Sequence, residues 1–126
     1  MNKYEEAVFC YAKKLQRKYK ESKDPLRDYP ATIVCAYLKK KYVVDESGKI
    51  SPNMAIQLKR KLSTIGTIGK KTHCGNILGW CAEVNSSNKI LMYRPYLCLS
   101  RVNFTTARRP RTMQKINTCD NCKRTF

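Results

Sequence analysis

Three cysteines and one glutamate have the types and spacing for chemistry. Cys119 and Cys122 stand as a Cys-x-x-Cys pair in "TCDNCKRTF", a spacing that lets two thiolates from one turn share a tetrahedral metal at about 2.3 Å each. A redox dithiol of the same spacing would want a strand leading into a long helix, and little chain follows Cys122, so a metal is favoured. The third ligand must come from elsewhere. Cys81 in "GWCAEVN" is best placed, because it falls where a strand is expected to pass into a helix, and a helix N-terminus favours thiolate over thiol. Glu83 follows two residues later. If Cys81, Cys119 and Cys122 hold zinc with a fourth position open, a water there becomes acidic enough to attack, and a carboxylate in the first helical turn can shuttle its protons. A structural zinc would instead be closed by a fourth ligand, for which His73 or Cys74 would serve.

Charge points to the partner. The 126 residues carry 26 Lys and Arg against nine Asp and Glu, a net +17. Residues 47–126 hold fifteen of those cations and only two acids, Glu83 and Asp120. A surface so poor in acid repels itself and is tolerable where it faces a polyanion, so nucleic acid, DNA or RNA, is the expected partner. The longest uninterrupted apolar stretch, "ATIVCAYL", is far shorter than the roughly 20 residues that cross a bilayer, so no membrane partner is expected. Glu5 and Glu6 interrupt any basic-then-apolar leader, and synthesis in a cytoplasm is the expectation. An odd count of seven cysteines without an export signal argues for reduced thiols. Cys10, Cys35 and Cys98 read as small buried hydrophobes.

The elements that must position these residues are partly legible. Tyr4, Ala7, Val8, Tyr11 and Leu15 follow helical spacing, predicting an amphipathic helix that ends near Lys20. "ATIVCAYLKKKYVV" fits a helix or a buried strand, and a helix is the expectation. "SPNMAIQLKRKLSTIG" predicts a helix with Ser51 as N-cap, Pro52 at its first position and Gly66 as its stop. "HCGNILGW" reads as a short strand, "AEVNSSNKILMY" as a helix and "YLCLSRVNF" as a second strand, with basic turns through "TTARRPRTMQKIN". One domain spans 1–126, with a helical N-terminal part at 1–65 and a zinc-site part at 66–126.

"CAE" followed by a Cys-x-x-Cys pair resembles the zinc-dependent cytidine deaminase superfamily, whose usual signature is a His or Cys, any residue, Glu, and later Pro-Cys-x-x-Cys. Over residues 70–126 the "WCAE" start, the "ARRPRT" segment and the "NCKRTF" ending are most similar to the deaminase domains at the tips of bacterial polymorphic toxins. Thr118 stands where that family usually has proline. The resemblance implies a cytidine deaminase-like α/β fold, a small mixed β-sheet flanked by helices, with one Zn²⁺ held between two helix starts by Cys81, Cys119 and Cys122, and Glu83 as proton shuttle. It also implies hydrolytic deamination, cytosine to uracil before adenine, in DNA or RNA. A toxin role would bring delivery into a target cell and an acidic immunity or inhibitor protein as partner. The reading from another class is a non-catalytic, zinc-stabilised nucleic-acid-binding module, with Glu83 salt-bridged to one of the many cations.

Six further residues are candidate substrate contacts, each with a plainer alternative. Asn76 would meet a sugar or base, or form a strand-end hydrogen bond; Trp80 would wall the pocket, or fill the core. His73 would orient a phosphate, or sit on the surface. Arg108, Arg109 and Arg111 around Pro110 would lie against phosphate, or be solvated charge.

Overall fold

The structure is a computed structural model describing residues 2–126. Its elements run α1 (Lys3–Lys18), α2 (Pro25–Asp28), β1 (Ile33–Leu38), β2 (Lys41–Glu46), α3 (Ile56–Ile65), α4 (Ala82–Leu91), β3 (Asn103–Phe104), β4 (Ala107–Arg108), β5 (Lys115–Ile116) and α5 (Asp120–Thr125). They form a small α/β domain around one five-stranded sheet in the order β2-β1-β4-β5, with β3 also paired to β1. Every pairing is antiparallel, so the expected mixed sheet is corrected. No helix among the described residues is long and apolar enough to cross a membrane.

β1 organises the molecule, and it overturns the helix expected over "ATIVCAYLKKKYVV". Ile33 and Cys35 pack on Val8, Ala12 and Leu15 of α1. On the opposite face, Ala36 and Leu38 join Leu58 and Leu62 of α3 and Val84, Ile90 and Leu91 of α4. A strand covered on both faces has no polar alternation, and for that reason its sequence imitates a buried helix. The chain then turns through Lys39 and Lys40, with Leu38 paired to Lys41. Lys39 sits at φ 54, a left-handed conformation that two-residue hairpins require and lysine tolerates poorly. Tyr4 donates from its hydroxyl to the Lys39 carbonyl at 2.6 Å and helps hold the turn. The segment 1–65 therefore contributes the β1–β2 hairpin, with β2 at the edge of the sheet, as well as helices.

α1 forms as its spacing predicts, with Asn2 accepting from the N–H groups of Tyr4 and Glu5. Its Tyr11 hydroxyl donates to the Glu46 carboxylate of β2 at 2.9 Å, tying helix to sheet. Burial first, then the hydrogen bond to Glu46 and its charge, push the Tyr11 phenol above its ordinary pKa. Burial likewise raises the Cys35 thiol to about 11. Both groups favour the fold while protonated, so their contribution is full below their unfolded pKa values and is lost as pH rises through the folded ones. Tyr11→Phe should cost about 1–2 kcal/mol at neutral pH and flatten the alkaline loss of stability, read from urea midpoints at neutral and alkaline pH. An unchanged midpoint would remove this tie from the account of the fold.

α3 stops at Gly66 as expected, but it starts at Ile56 rather than after Ser51. The reason is tertiary. Buried Asn88 of α4 accepts from the Ala55 N–H at 2.7 Å and donates to the Asn53 carbonyl at 2.9 Å, so the approach to α3 is extended. The segment 96–104 forms a 3-10 turn at Leu99–Arg101 before the brief β3, not a full strand. Cys10 and Cys98 are exposed, against expectation, and Cys35 is buried.

Candidate metal centre and its cavity

Cys81 and Cys119 are the N-caps of α4 and α5, and Cys122 lies in the first turn of α5. The fold brings these two helix starts together. The three sulfurs lie within 4.8 Å of one another, with Cys81 and Cys119 at 3.2 Å. Zinc–sulfur bonds of about 2.3 Å in a tetrahedral site put sulfurs about 3.8 Å apart, so a small adjustment of the pair accommodates an ion. Three close thiols at the positive ends of two helices are a fitting donor set for zinc. Among the described residues no fourth His, Cys, Asp or Glu joins the group. Cys74 sits instead against the Thr72 hydroxyl at 3.1 Å, and His73 is exposed.

The thiols polarise one another. Hydrogen bonds from Cys122 and then Cys81 hold Cys119 well below the ordinary thiol pKa. Hydrogen bonding to Cys119 pushes Cys122 up and raises Cys81 to about 12. Three sulfurs this close compete for protons and would release them when a cation enters.

Local sequence explains the placement of Cys81. Gly79 takes φ 93, and an added Cβ would meet Ile50 side-chain carbons at 3.1 and 3.2 Å, so only glycine makes this turn at ordinary cost. The Gly48 N–H donates to the Trp80 carbonyl at 2.9 Å, and Asn85 donates to the Glu46 carbonyl at 3.0 Å, fixing the start of α4 to the end of β2. The segment before it is not the expected strand. It is a tight loop closed by a single Lys71–Ile77 bridge, with Gly75 at φ 84.

α5 is held by a residue that sequence reasoning missed. Buried Asn121 accepts from the Thr72 hydroxyl at 2.9 Å and donates to the Asn76 carbonyl at 3.4 Å, pinning the 70–78 loop to the Cys119–Cys122 pair. An amide inside a Cys-x-x-Cys pair is the only sequence signal for it. Phe126 completes the anchor, its ring 4.8 Å from that of Phe104.

Glu83 is buried in the first turn of α4. Burial pushes its carboxyl above the usual carboxylate range, and the Cys119 charge adds to this, against hydrogen bonds from its own N–H and from Cys122. The two ion pairs among the described residues, Arg27–Asp28 and Lys89–Asp45, leave Glu83 aside. With Cys122 it lines an open cavity of about 380 Å³, lined also by Phe104, Thr105, Thr106, Ala107, Ile116, Asn117, Thr118 and Phe126. That volume is in the range of small-ligand sites. A larger hollow of about 520 Å³, over Met54 and Met92, shares none of these residues and holds no group with comparable chemistry.

The other predicted contacts stand apart from this cavity. Asn76 and Trp80 line a separate hollow of about 260 Å³ beside Cys81. Arg108 is engaged: it donates to the Met113 carbonyl at 2.9 Å and lies 5.1 Å from the Phe9 ring centre. Arg109 and Arg111 are exposed at the turn between β4 and β5, near Tyr29 and Pro30. Conversely, Phe104, Thr106, Asn117, Thr118 and Phe126 face the cavity, and sequence reasoning missed them as contacts. Thr118 and Phe126 flank the Cys-x-x-Cys motif, which is the one local cue to them. No protein-family model matches the chain, and neither a curated protein nor a solved structure matches it.

Proposed function

We propose that the chain is a zinc-dependent hydrolytic deaminase acting on a base in nucleic acid, cytosine before adenine. One observation carries this reading: a buried carboxylate without an ion-pair partner among the described residues shares a cavity with one of three thiols gathered at two helix starts. Bound zinc would supply Lewis acidity and an open position at which water is activated for hydrolysis. Cys81, Cys119 and Cys122 would hold it. The chain's own acid–base work falls to Glu83. Its carboxylate takes a proton from the attacking water and delivers it to the ring nitrogen. It then passes the second proton to the departing amine, so that cytosine and water become uracil and ammonia. A raised pKa suits a group that must both accept and return protons near neutrality. Phe104 and Phe126 give the cavity aromatic walls of the kind against which a base packs, and Asn117 offers an amide to its polar edge.

The resemblance of "CAE" and the Cys-x-x-Cys pair to the cytidine deaminase superfamily supports the same reading and, with it, a cytidine deaminase-like fold. The net +17 supports a polyanionic substrate over a free nucleoside. It is also in keeping with a toxin role and an acidic inhibitor protein. The test is to incubate the zinc-loaded chain with mixed single- and double-stranded DNA and RNA and sequence the products. Cytosine-to-uracil changes are expected. Adenine changes alone would reassign the base, and unchanged pools would favour the non-catalytic zinc module.

A further inference from the structure

We propose that the loop after α4, with the tip of the β1–β2 hairpin beside it, is a stacking platform for single-stranded nucleic acid. Tyr93 is 77% exposed and Tyr96 98% exposed, in the stretch "MYRPY". Large rings are normally spent on cores or interfaces, and two displayed within four residues mark a surface that meets something. The backbone beneath them is fixed. The Arg94 N–H donates to the Leu91 carbonyl and the Leu97 N–H to the Arg94 carbonyl, and Gln57 donates to the carbonyls of Arg94 and Leu97 at 2.9 and 3.3 Å. Among the described residues neither ring pairs with another aromatic ring, and the Lys41 ammonium lies 5.4 Å from the centre of Tyr93.

The chemistry around the rings selects the occupant. Met92 and Pro95 line a hollow of mixed character with Ile56 and Lys59, and exposed Arg94 stands between the two tyrosines in sequence, so ring faces and cations share this surface. The sequence has no Asp or Glu at 29–44, 47–82 or 84–119, and Asp45 is occupied by Lys89 at 2.8 Å. The two carboxylates that share a hollow with Met92 are both engaged, Asp45 by Lys89 and Glu46 by the Tyr11 hydroxyl, and aromatic faces beside cations without a free carboxylate fit a strand whose bases are open to stacking and whose phosphates need neutralising. A duplex hides its base faces and would use the cations alone. The platform lies at the far end of α4 from Cys81 and Glu83, about 15 Å along a helix of ten residues, and shares no lining residue with the Glu83 cavity. It rests on the nucleic-acid reading of the chain and adds the form of the substrate: the platform holds nucleotides flanking the target base.

The experiment is anisotropy titration of the intact zinc-loaded chain with a labelled mixed-sequence oligonucleotide, single-stranded and as a duplex. Tyr93→Ala with Tyr96→Ala should weaken single-strand binding at least about tenfold, since each base–aromatic stack is worth about 5- to 150-fold. Duplex binding should stay within about twofold, because phosphate contacts survive. Tyr93→Phe with Tyr96→Phe keeps the stacking faces and should bind as the parent does. Zinc content and circular dichroism should match in all three. Unchanged single-strand binding in the alanine pair, or an equal loss on duplex, would overturn the platform and leave the face to a protein partner. The outcomes separate the two readings: tyrosine-dependent binding without base conversion would sink the deaminase and keep the platform, and base conversion insensitive to the tyrosines would do the reverse.

Discussion

The purified chain is expected to carry one zinc ion per molecule, and Cys119→Ala is expected to lose both the ion and much of the fold. The size of the effect follows from what holds α5. Six residues are far too few to be helical alone. The helix is retained by buried Cys122, by the Asn121 contacts to Thr72 and Asn76, and by Phe126 on Phe104. An ion joining Cys81 to Cys119 and Cys122 would add a link between α4 and α5, and binding free energies on the order of 10 kcal/mol for structural zinc count directly as folding energy. Chelation should therefore lower the melting temperature far more than any surface substitution. Elemental analysis, thiol titration with and without chelator, and thermal melts read these quantities. Cys10→Ser and Cys98→Ser, at exposed positions, should stay within about 0.5 kcal/mol of the parent. Cys74→Ser should keep its zinc, because Cys74 lies outside the group of three. Loss of zinc in Cys74→Ser would mean a closed four-thiol site and remove the open position that the proposed chemistry needs. Metal-free, well-folded protein would remove the zinc centre altogether.

The cysteine cluster is more legible in the sequence than the scaffold, for physical reasons. Cys81, Cys119 and Cys122 can be picked out because a Cys-x-x-Cys pair and a cysteine at a helix start are local patterns, legible within a few residues. The β1–β2 hairpin cannot, because β1 buries both faces and its turn lacks the Asn-Gly type of signal, using Lys39 at φ 54 instead. The start of α3 misleads for the opposite reason. Ser51 and Pro52 carry a sound local cap, and Asn88, thirty-three residues from Ala55, overrides it with two hydrogen bonds. Asn121 and the walls of the Glu83 cavity come from segments that meet only in the folded chain. Periodicity within one element has no access to such meetings. The arginines around Pro110 show the same limit from the other side, since a cluster in sequence separates into an engaged Arg108 and two exposed neighbours once the turn between β4 and β5 forms.

Glu83→Gln is expected to abolish base conversion, by about 10² to 10⁴-fold or beyond detection, while leaving zinc, fold and nucleic-acid affinity in place. The substitution keeps the volume and the polar contacts of a buried side chain and removes its capacity to accept and return a proton. Its structural cost should be small. A buried first-turn carboxylate is worth at most about 2 kcal/mol against the dipole of α4. Burying a neutral amide instead of a carboxylate works in the other direction, since burial already disfavours the charged form of Glu83. The melting temperature should consequently hold or rise. This separation of activity from stability is the discriminating feature. If Glu83 were only a structural partner of Cys122, the substitution would change the melting temperature or the zinc content and leave any base conversion proportionate to the folded fraction. If it is the proton shuttle, the parent and the folded, zinc-loaded variant will differ in turnover alone, with KM unchanged and kcat lost. Retained turnover in a folded, zinc-loaded Glu83→Gln chain would remove Glu83 from the mechanism, and with it the reason for reading the thiol-x-carboxylate spacing as catalytic.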